Sequence, residues 1–413
     1  MFFKILTKDK TIYFLDTDSF DIAKISTRKE IDCEVESKIL TYLNKNKEYR
    51  DYTMSVSSFS DEYELSIGLF GACNLECEYC YGQEKNNSRL RLDKIKSVLE
   101  SINKSNCKVQ FVGAGEPLLF FDYFKAAVKT VKEYTKNIWL VTNGTLFTNE
   151  IIEYLFSENI NITISMDGGI KEYQDKYRKF KSGKGTYEII VNNLRKIQNY
   201  EKTKNKKITK WISAVITNNN FDLVSLYKSF EEILVDLIMY RFYMGNDKRF
   251  SLTDNKKFES NISEYIHFIF QQIRRNEKNV YRIINQRDNV FKYLIRLLNK
   301  DITLERCGAG KTKASLYSDG LLYLCDYCLG NKELALESFQ SLSDKKCQCS
   351  NCNYFTLCGG YCKYENYMKN NFSCSILPVI INNLVIELAE FQIHELETYE
   401  KLKNYCKRIS LYL

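Results

Sequence analysis

Cysteine constrains this chain more than any other residue. There are 15 cysteines, and they are not spread evenly. Cys73, Cys77 and Cys80 form one group, a run from Cys307 to Cys374 forms another, and none lies between Cys107 and Cys307. A small disulfide scaffold needs a much denser content in a shorter chain. With only 2 histidines, any metal site must be rich in thiolate, and soft thiolates select iron–sulfur clusters or zinc. Met1–Lys10 has neither the apolar core nor the small-residue cleavage site of a signal peptide. No apolar run is read as approaching the length of a membrane helix. The expectation is a cytoplasmic protein, with reduced thiols and no membrane partner.

A length of 413 residues is enough for two or three domains, and 44% hydrophobic against 27% charged residues excludes a disordered tail or a mini-scaffold. The net charge of +8 is mild for this length and does not argue for a nucleic-acid partner; none is expected. Residues 1–60 read as a small α+β segment, a hairpin of Phe2–Leu6 with Thr11–Leu15 followed by a helix near Val35–Asn44. From Glu64 the pattern alternates between buried strand and amphipathic helix. Strand-like runs are Glu64–Phe70, Lys108–Val112, Ile138–Thr142, Ile160–Met166, Ile208–Thr217 and Leu234–Tyr243, with helical patterns between them. Six β/α repeats predict an α/β fold, a parallel sheet open or curled into a partial (β/α)6 TIM-like barrel over residues 61–250. A helical connector follows over 251–305, a cysteine-rich domain over 306–380 and one continuous C-terminal helix over 381–413, its pattern running from Val379 to Ile409.

The first cysteine group, Cys73-x3-Cys77-x2-Cys80, comes directly after the first of those strands. Three thiolates hold three irons of a [4Fe–4S] cube and leave the fourth open, whereas a structural zinc site would want a fourth ligand close by. The spacing, with Tyr79 before the last cysteine, resembles the signature of the radical S-adenosylmethionine (SAM) superfamily. Phe111-Val-Gly-Ala-Gly115-Glu116-Pro117 resembles that family's GGEP segment, with Ala114 in place of its first glycine. Thr142-Asn143-Gly144 and Ser165-Met166-Asp167-Gly168, followed by Arg178, also resemble its strand-end motifs. The resemblance implies a SAM site formed by Tyr79, Gly115, Glu116, Asn143, Ser165, Asp167 and Arg178. In it Glu116 would meet the SAM amino group, and Ser165 and Arg178 its carboxylate.

The second group, Cys307-x12-Gly320-x4-Cys325 and then Cys349-x2-Cys352-x5-Cys358-x3-Cys362 and Cys374, resembles the SPASM domain. That resemblance implies two auxiliary [4Fe–4S] clusters, making three clusters in all. Cys307, Cys325 and Cys362 would hold auxiliary cluster I, and Cys349, Cys352, Cys358 and Cys374 auxiliary cluster II. The position of a fourth ligand to cluster I is Lys313; either Cys328 replaces it or an iron is open to substrate. A zinc ribbon of Cys349, Cys352, Cys358 and Cys362 is the alternative, and would leave Cys307, Cys325 and Cys374 unused. Cys33, Cys107, Cys347 and Cys406 are read as structural. Asp326 resembles the catalytic aspartate of sulfatase-maturating relatives.

The implied function is a maturase of ribosomally made peptides, best matched to thioether formation. Its partners would be a precursor peptide and a reducing flavodoxin or ferredoxin. The N-terminal hairpin would receive a leader peptide by strand addition. The alternatives are an anaerobic sulfatase-maturating enzyme, which generates formylglycine, and a non-catalytic Fe–S electron carrier. The second of these needs no SAM pocket.

Overall fold

The computed structural model describes residues 2–8, 11–26, 33–45, 63–82, 88–102, 107–252, 254–303, 306–338, 349, 352–369 and 372–410; Cys347 lies outside them. The chain opens with strands β1 (Phe2–Lys8), β2 (Thr11–Asp16) and β3 (Ile22–Ser26), an antiparallel sheet in that order, and helix α1 (Cys33–Lys45). The third strand was not anticipated, because its five residues show no burial alternation. Then come β4 (Tyr63–Ile67), α2 (Leu92–Ser101), β5 (Cys107–Phe111), α3 (Phe121–Lys132), β6 (Ile138–Thr142), α4 (Asn149–Ser157) and β7 (Asn161–Ser165). Helices α5 (Lys171–Tyr177) and α6 (Tyr187–Lys204) precede β8 (Lys210–Ile216), α7 (Leu223–Ser229) and β9 (Leu237–Phe242). Helices α8 (Asn255–Arg274) and α9 (Phe291–Asn299) follow, then β10 (Lys313–Leu316), β11 (Leu322–Tyr323) and β12 (Ala335–Leu336). The chain finishes with α10 (Phe355–Cys358), α11 (Lys363–Tyr367), α12 (Phe372–His394) and α13 (Leu396–Ser410).

These elements form two compact units, each made of separated stretches of sequence: residues 59–253 with 307–345, and residues 1–58 with 254–306 and 346–413.

The first unit holds a nine-stranded sheet in the order β12-β11-β10-β4-β5-β6-β7-β8-β9. Strands β4 to β9 are parallel neighbours in sequence order, the six β/α repeats expected. Beyond β4 the sheet gains β10, which pairs with it in parallel, Ser315 opposite Ser66. Strands of four and two residues are too short to show a period, so β10–β12 were not legible.

The sheet curls, and its side chains prove it. Val109 and Phe111 on β5 are fully buried, and the Phe111 ring meets Phe124 of α3. The alternate residues Lys108 and Gln110 therefore face the other way, inward. Lys108 Nζ sits 4.7 Å from the Trp139 ring and 5.6 Å from the Trp211 ring, and the two rings lie 4.1 Å apart. Strands β5 and β8 are three places apart, roughly 14 Å across a flat sheet. Inward side chains meet over that span only on a concave face. This is the partial barrel that the sequence resemblance implied.

In the second unit, α12 is the core helix. It is apolar on nearly every side, and such a helix must be buried; it packs on α8, α13, β2 and β3. Two expectations are corrected here. The continuous C-terminal helix is broken at Glu395, between α12 and α13, and its first part starts earlier, at Phe372. Phe372–His394 is also long and apolar enough, by length and composition, to cross a membrane. In this structure half of its apolar window is buried in protein. Its buried Glu387 meets His267 Nδ1 at 2.6 Å and Arg274 at 3.5 Å, satisfying the one charge that burial would penalise most.

Candidate active site

The three-cysteine loop leaves the carboxyl end of β4, where parallel α/β sheets place their ligands. Leu75 anchors it, fully buried and bridged to Phe180. Backbone bonds from Glu76 N to Lys179 O (2.8 Å) and from Glu78 N to Tyr177 O (3.3 Å) fasten it further. Cys73 Sγ accepts from Leu75 N at 3.4 Å. Cys77 lies within electrostatic reach of Cys73, Cys80 and Arg178, and burial pushes its thiol up to about 12, against the lowering effect of Arg178. A thiol in that position keeps its proton until a metal displaces it. Among the described residues no three Cys, His, Asp or Glu side chains close on one ion-sized point.

Next to the loop lie half-buried Tyr79 and buried Asp167 and Arg178. Tyr79 Oη donates to Asp167 Oδ2. Arg178 Nε lies 3.0 Å from the same oxygen, and its guanidinium stands 5.3 Å over the Tyr79 ring. Arg178 Nε keeps this ion pair but makes no hydrogen bond of good geometry among the described residues. An unsatisfied guanidinium N–H costs free energy until an acceptor arrives, and a ligand carboxylate is the matching acceptor. Asp167 is held by Val215 N (3.0 Å, to Oδ1), while its own N–H donates to Gln174 Oε1 (2.8 Å). Ser165 ends β7, half-buried, two residues before Asp167. Arg178 thus meets Asp167 and Tyr79, contacts that the sequence did not anticipate.

Glu116 is buried at the end of the β5 loop. Its Oε1 accepts from Thr142 Oγ1 (2.7 Å) and Leu118 N (3.2 Å), its Oε2 from Asn143 N (2.8 Å). Burial outweighs these bonds and pushes its carboxyl up to about 7. Oε2 keeps a lone pair, suited to an ammonium. Asn143 Nδ2 donates to Asn74 Oδ1 at 2.8 Å, tying the third strand end to the cysteine loop. Gly115 has no room for a side chain: a Cβ there would lie 2.4 Å from the carbonyl oxygens of Ala72 and Phe70. Ala114, the departure from the family pattern, packs on Gly82, where an added Cβ would lie 2.4 Å from it.

Asp326, on the turn after Cys325, joins an inward polar network unseen in the sequence. Ser315 Oγ donates to its Oδ1 at 2.6 Å, and Ser66 also hydrogen-bonds it. Gln110 Nε2 donates to Ser66 Oγ (2.8 Å) and Glu64 Oε1 (3.2 Å), and Lys313 Nζ pairs with Glu64 Oε2 at 3.1 Å. Burial raises the Asp326 carboxyl and the serine hydroxyls lower it, with burial the larger. The available signal was period-2 alternation: Glu64 and Ser66, like Lys108 and Gln110, are polar residues alternating with buried apolar ones.

The remaining cysteines divide between the units. Cys307, Cys325 and Cys328 fall in the barrel unit. There the Sγ atoms of Cys325 and Cys328 are 3.5 Å apart and Cys328 is buried. Cys349, Cys352, Cys358, Cys362 and Cys374 belong to the other unit. Within that unit Cys374 is in electrostatic reach of Cys358 and Cys352. Arg306 Nη1 lies 3.6 Å from Cys358 Sγ and within electrostatic reach of Cys362.

Comparison with known proteins agrees with this geometry. The sequence profile described as the radical SAM superfamily matches residues 67–219. A cysteine-type anaerobic sulfatase-maturating enzyme of Clostridium novyi (strain NT) is 23% identical over 357 residues, 73% of this chain and 89% of the relative. The mycofactocin maturase MftC of Mycolicibacterium smegmatis is 23% identical, over 72% of this chain and 77% of its own. Among solved structures, anSMEcpe with bound AdoMet superposes with a TM-score of 0.63 at 21% identity, covering 79% of this chain and 98% of that one. Streptococcus suis SuiB bound to precursor peptide SuiA gives 0.54 at 14% identity, covering 87% and 94%. The superfamily implies a [4Fe–4S] cluster and SAM, and the three-thiol loop, the waiting guanidinium and the buried carboxylate are chemically fit for both. With a radical SAM domain over residues 67–219 at the carboxyl ends of a partial barrel, this chain is a radical SAM enzyme.

Proposed function

We propose that this enzyme matures a ribosomally synthesised precursor peptide in the cytoplasm by installing a thioether crosslink. The observation that carries the reading is Asp326, a half-buried carboxyl held by Ser315 and Ser66 on the inner face of the barrel, directly beside the Cys325–Cys328 thiol pair. Bound SAM and iron–sulfur clusters would supply a 5′-deoxyadenosyl radical that removes a hydrogen atom and an acceptor for one electron. Crosslinking a cysteine S–H to a C–H removes two hydrogens from the peptide: one hydrogen atom, one proton and one electron. Asp326 is the group to take the proton, and burial that raises its pKa makes it a better acceptor. Tyr79, Asp167 and Arg178 orient the SAM carboxylate end, with Ser165 at the adjoining strand end. Glu116, Asn143 and Gly115 receive the amino end.

Three clusters belong to this reading. Cys73, Cys77 and Cys80 hold the first. Cys307, Cys325 and Cys328 contribute to a second, with Cys328 standing in for the thiolate absent at Lys313, which is committed to Glu64. Cys349, Cys352, Cys358 and Cys374 hold a third, and Cys362 stays in the proposal as the remaining thiolate ligand. The N-terminal sheet, with β1 and β3 at its edges, offers a place for a leader peptide to add as a strand.

The match to a cysteine-type sulfatase-maturating relative favours a second reading, oxidation of a cysteine side chain towards formylglycine. This oxidation removes the same hydrogen atom, proton and electron to give a thioaldehyde, which water hydrolyses to the aldehyde with release of hydrogen sulfide, so Asp326 serves both. Mass spectrometry of a cysteine-containing peptide, incubated anaerobically with reconstituted enzyme, SAM and reductant, separates them. Loss of two hydrogens with the cysteine protected from alkylation supports the crosslink. A product that reacts as an aldehyde supports the second reading and refutes the first.

A further inference from the structure

Reductive cleavage of SAM needs an electron before the peptide has released one, and no residue of the chain supplies it, so a donor must approach the three-cysteine loop from outside. The segment pinned to that loop is unusual in its charge. Residues 176–184 read Lys176-Tyr-Arg-Lys179-Phe-Lys181-Ser-Gly-Lys184. Its last part is a tight hairpin, with Phe180 N bonded to Lys184 O (2.9 Å), Gly183 N to Phe180 O (2.8 Å) and Lys179 bridged to Gly185. The hairpin lies against the cysteine loop through the Leu75–Phe180 bridge and the Glu76 N to Lys179 O bond. Lys176, Lys181 and Lys184 are exposed and Lys179 is half-buried. None of the four makes an ion pair among the described residues.

The neighbouring acids include Glu172, Asp175 and Glu188, and none of them pairs with these lysines among the described residues. Asp175 Oδ1 accepts from the N–H groups of Thr186 and Tyr187 (2.6 and 2.9 Å). Asp247 is bound by Arg249 at 2.7 Å, and Arg249 also reaches Glu78 at 3.9 Å. Glu76 is the remaining exposed acid on the loop. Lysines on a strand edge often only discourage edge pairing. Here Lys179 already gives its carbonyl to Glu76, so blocking that edge does not explain four cations on one short segment.

We propose that this lysine hairpin docks an acidic one-electron carrier protein, of the low-potential flavin or iron–sulfur class, and steers it to the cluster loop. The inference rests on the cluster being held by Cys73, Cys77 and Cys80. The carrier loses one electron; SAM accepts it, one carbon–sulfur bond of the sulfonium breaks, and methionine leaves with the electron pair. Unpaired surface charge of one sign raises the encounter rate with an opposite surface by 10-fold to about 1,000-fold at low salt, and less so as salt screens it.

The test compares two reductants on the full-length, iron-loaded enzyme without peptide: reduced flavodoxin, and sodium dithionite, which needs no docking. Formation of 5′-deoxyadenosine is the readout. The double variant Lys181→Glu with Lys184→Glu is expected to lower the flavodoxin-driven rate about tenfold or more at low salt and to flatten its salt dependence, with the dithionite-driven rate and iron content unchanged. Lys181→Gln with Lys184→Gln should give a smaller loss of the same kind. Equal rates with flavodoxin for wild type and variant overturn the proposal. A loss under both reductants also overturns it, since the lysines would then be supporting the cysteine loop. Failure of the cluster reading itself shows separately, as wild-type protein that cleaves no SAM with dithionite.

Discussion

Glu116 gives a prediction whose sign and size follow from its surroundings. Its carboxyl is raised from 4.5 to about 7, by burial first, with Asn143 N, Thr142 Oγ1 and Leu118 N opposing. A carboxyl whose folded pKa is raised contributes stability below its unfolded pKa that is lost as pH rises through the folded one. For the ligand-free protein that window runs from about pH 4.5 to pH 7, and the shift of about 2.5 units corresponds to roughly 3 kcal/mol at its upper end. The SAM ammonium reverses the preference, because a cation at the free lone pair of Oε2 stabilises the carboxylate. SAM binding must then expel a proton at acidic pH. Between pH 7 and pH 5.5 an α-amino group stays charged, so the change in affinity reports Glu116 alone. A group titrating near 7 weakens binding roughly fifteenfold over that interval. Isothermal titration of SAM into anaerobically reconstituted enzyme measures it. Glu116→Gln should bind SAM more weakly by about 1.5–3 kcal/mol, the loss of a charge-assisted bond, and with a flat pH profile. A wild-type affinity constant from pH 5.5 to 7, or the same slope in Glu116→Gln, would refute the reasoning.

The other expectations can be checked on the same preparations. Replacing Cys73, Cys77 and Cys80 by Ala should remove about one third of the iron and all SAM cleavage, measured by iron assay and 5′-deoxyadenosine formation; zinc in place of iron in the wild type would sink the cluster reading. Cys328→Ala should lose iron and the corresponding part of the cluster spectrum, whereas Cys33→Ala, at an exposed position on α1, should lose neither; full iron in Cys328→Ala would return an open iron to the discussion. Asp326→Asn should abolish peptide oxidation while uncoupled SAM cleavage survives, and intact product formation would remove Asp326 from the chemistry. Gly115→Ala should weaken SAM binding and lower the thermal midpoint, since its Cβ would lie 2.4 Å from two backbone oxygens that cannot rotate away; an unchanged midpoint would show that the loop yields.

The N-terminal sheet shows why a deletion is a poor test of leader binding. Ile12, Phe14 and Leu15 of β2 are almost fully buried, and Tyr13 Oη donates to Glu390 of α12 at 3.1 Å. Removing residues 1–45 would strip the core of that unit along with any peptide-binding edge. Substitutions that point outward from β1 or β3 are the cleaner probe.

Much of the molecule was legible in the amino-acid sequence because its signals are local. Cysteine spacing, the alternation of six strands with the five helical stretches between them, and polar motifs at strand ends are each read from short neighbouring stretches of sequence. Contacts between distant segments were not legible. Pairing Lys313–Leu316 with Tyr63–Ile67 takes a chain return of some two hundred and fifty residues, and a four-residue strand has too few side chains to declare a period. That return brings Ser315 and Lys313 onto the face already occupied by Ser66, Glu64 and Gln110, and so surrounds Asp326. The same holds for the surroundings of Arg178, which the motif resemblance placed with Ser165 at the SAM carboxylate. The fold sets it against Asp167 and Tyr79, because the loop after α5 carries it back onto the cysteine loop. Residue spacing along one element is dictated by backbone geometry, so the sequence contains it. Which carboxylate a buried guanidinium meets depends on how separate elements close on each other to bury their apolar faces, and only the tertiary structure decides that.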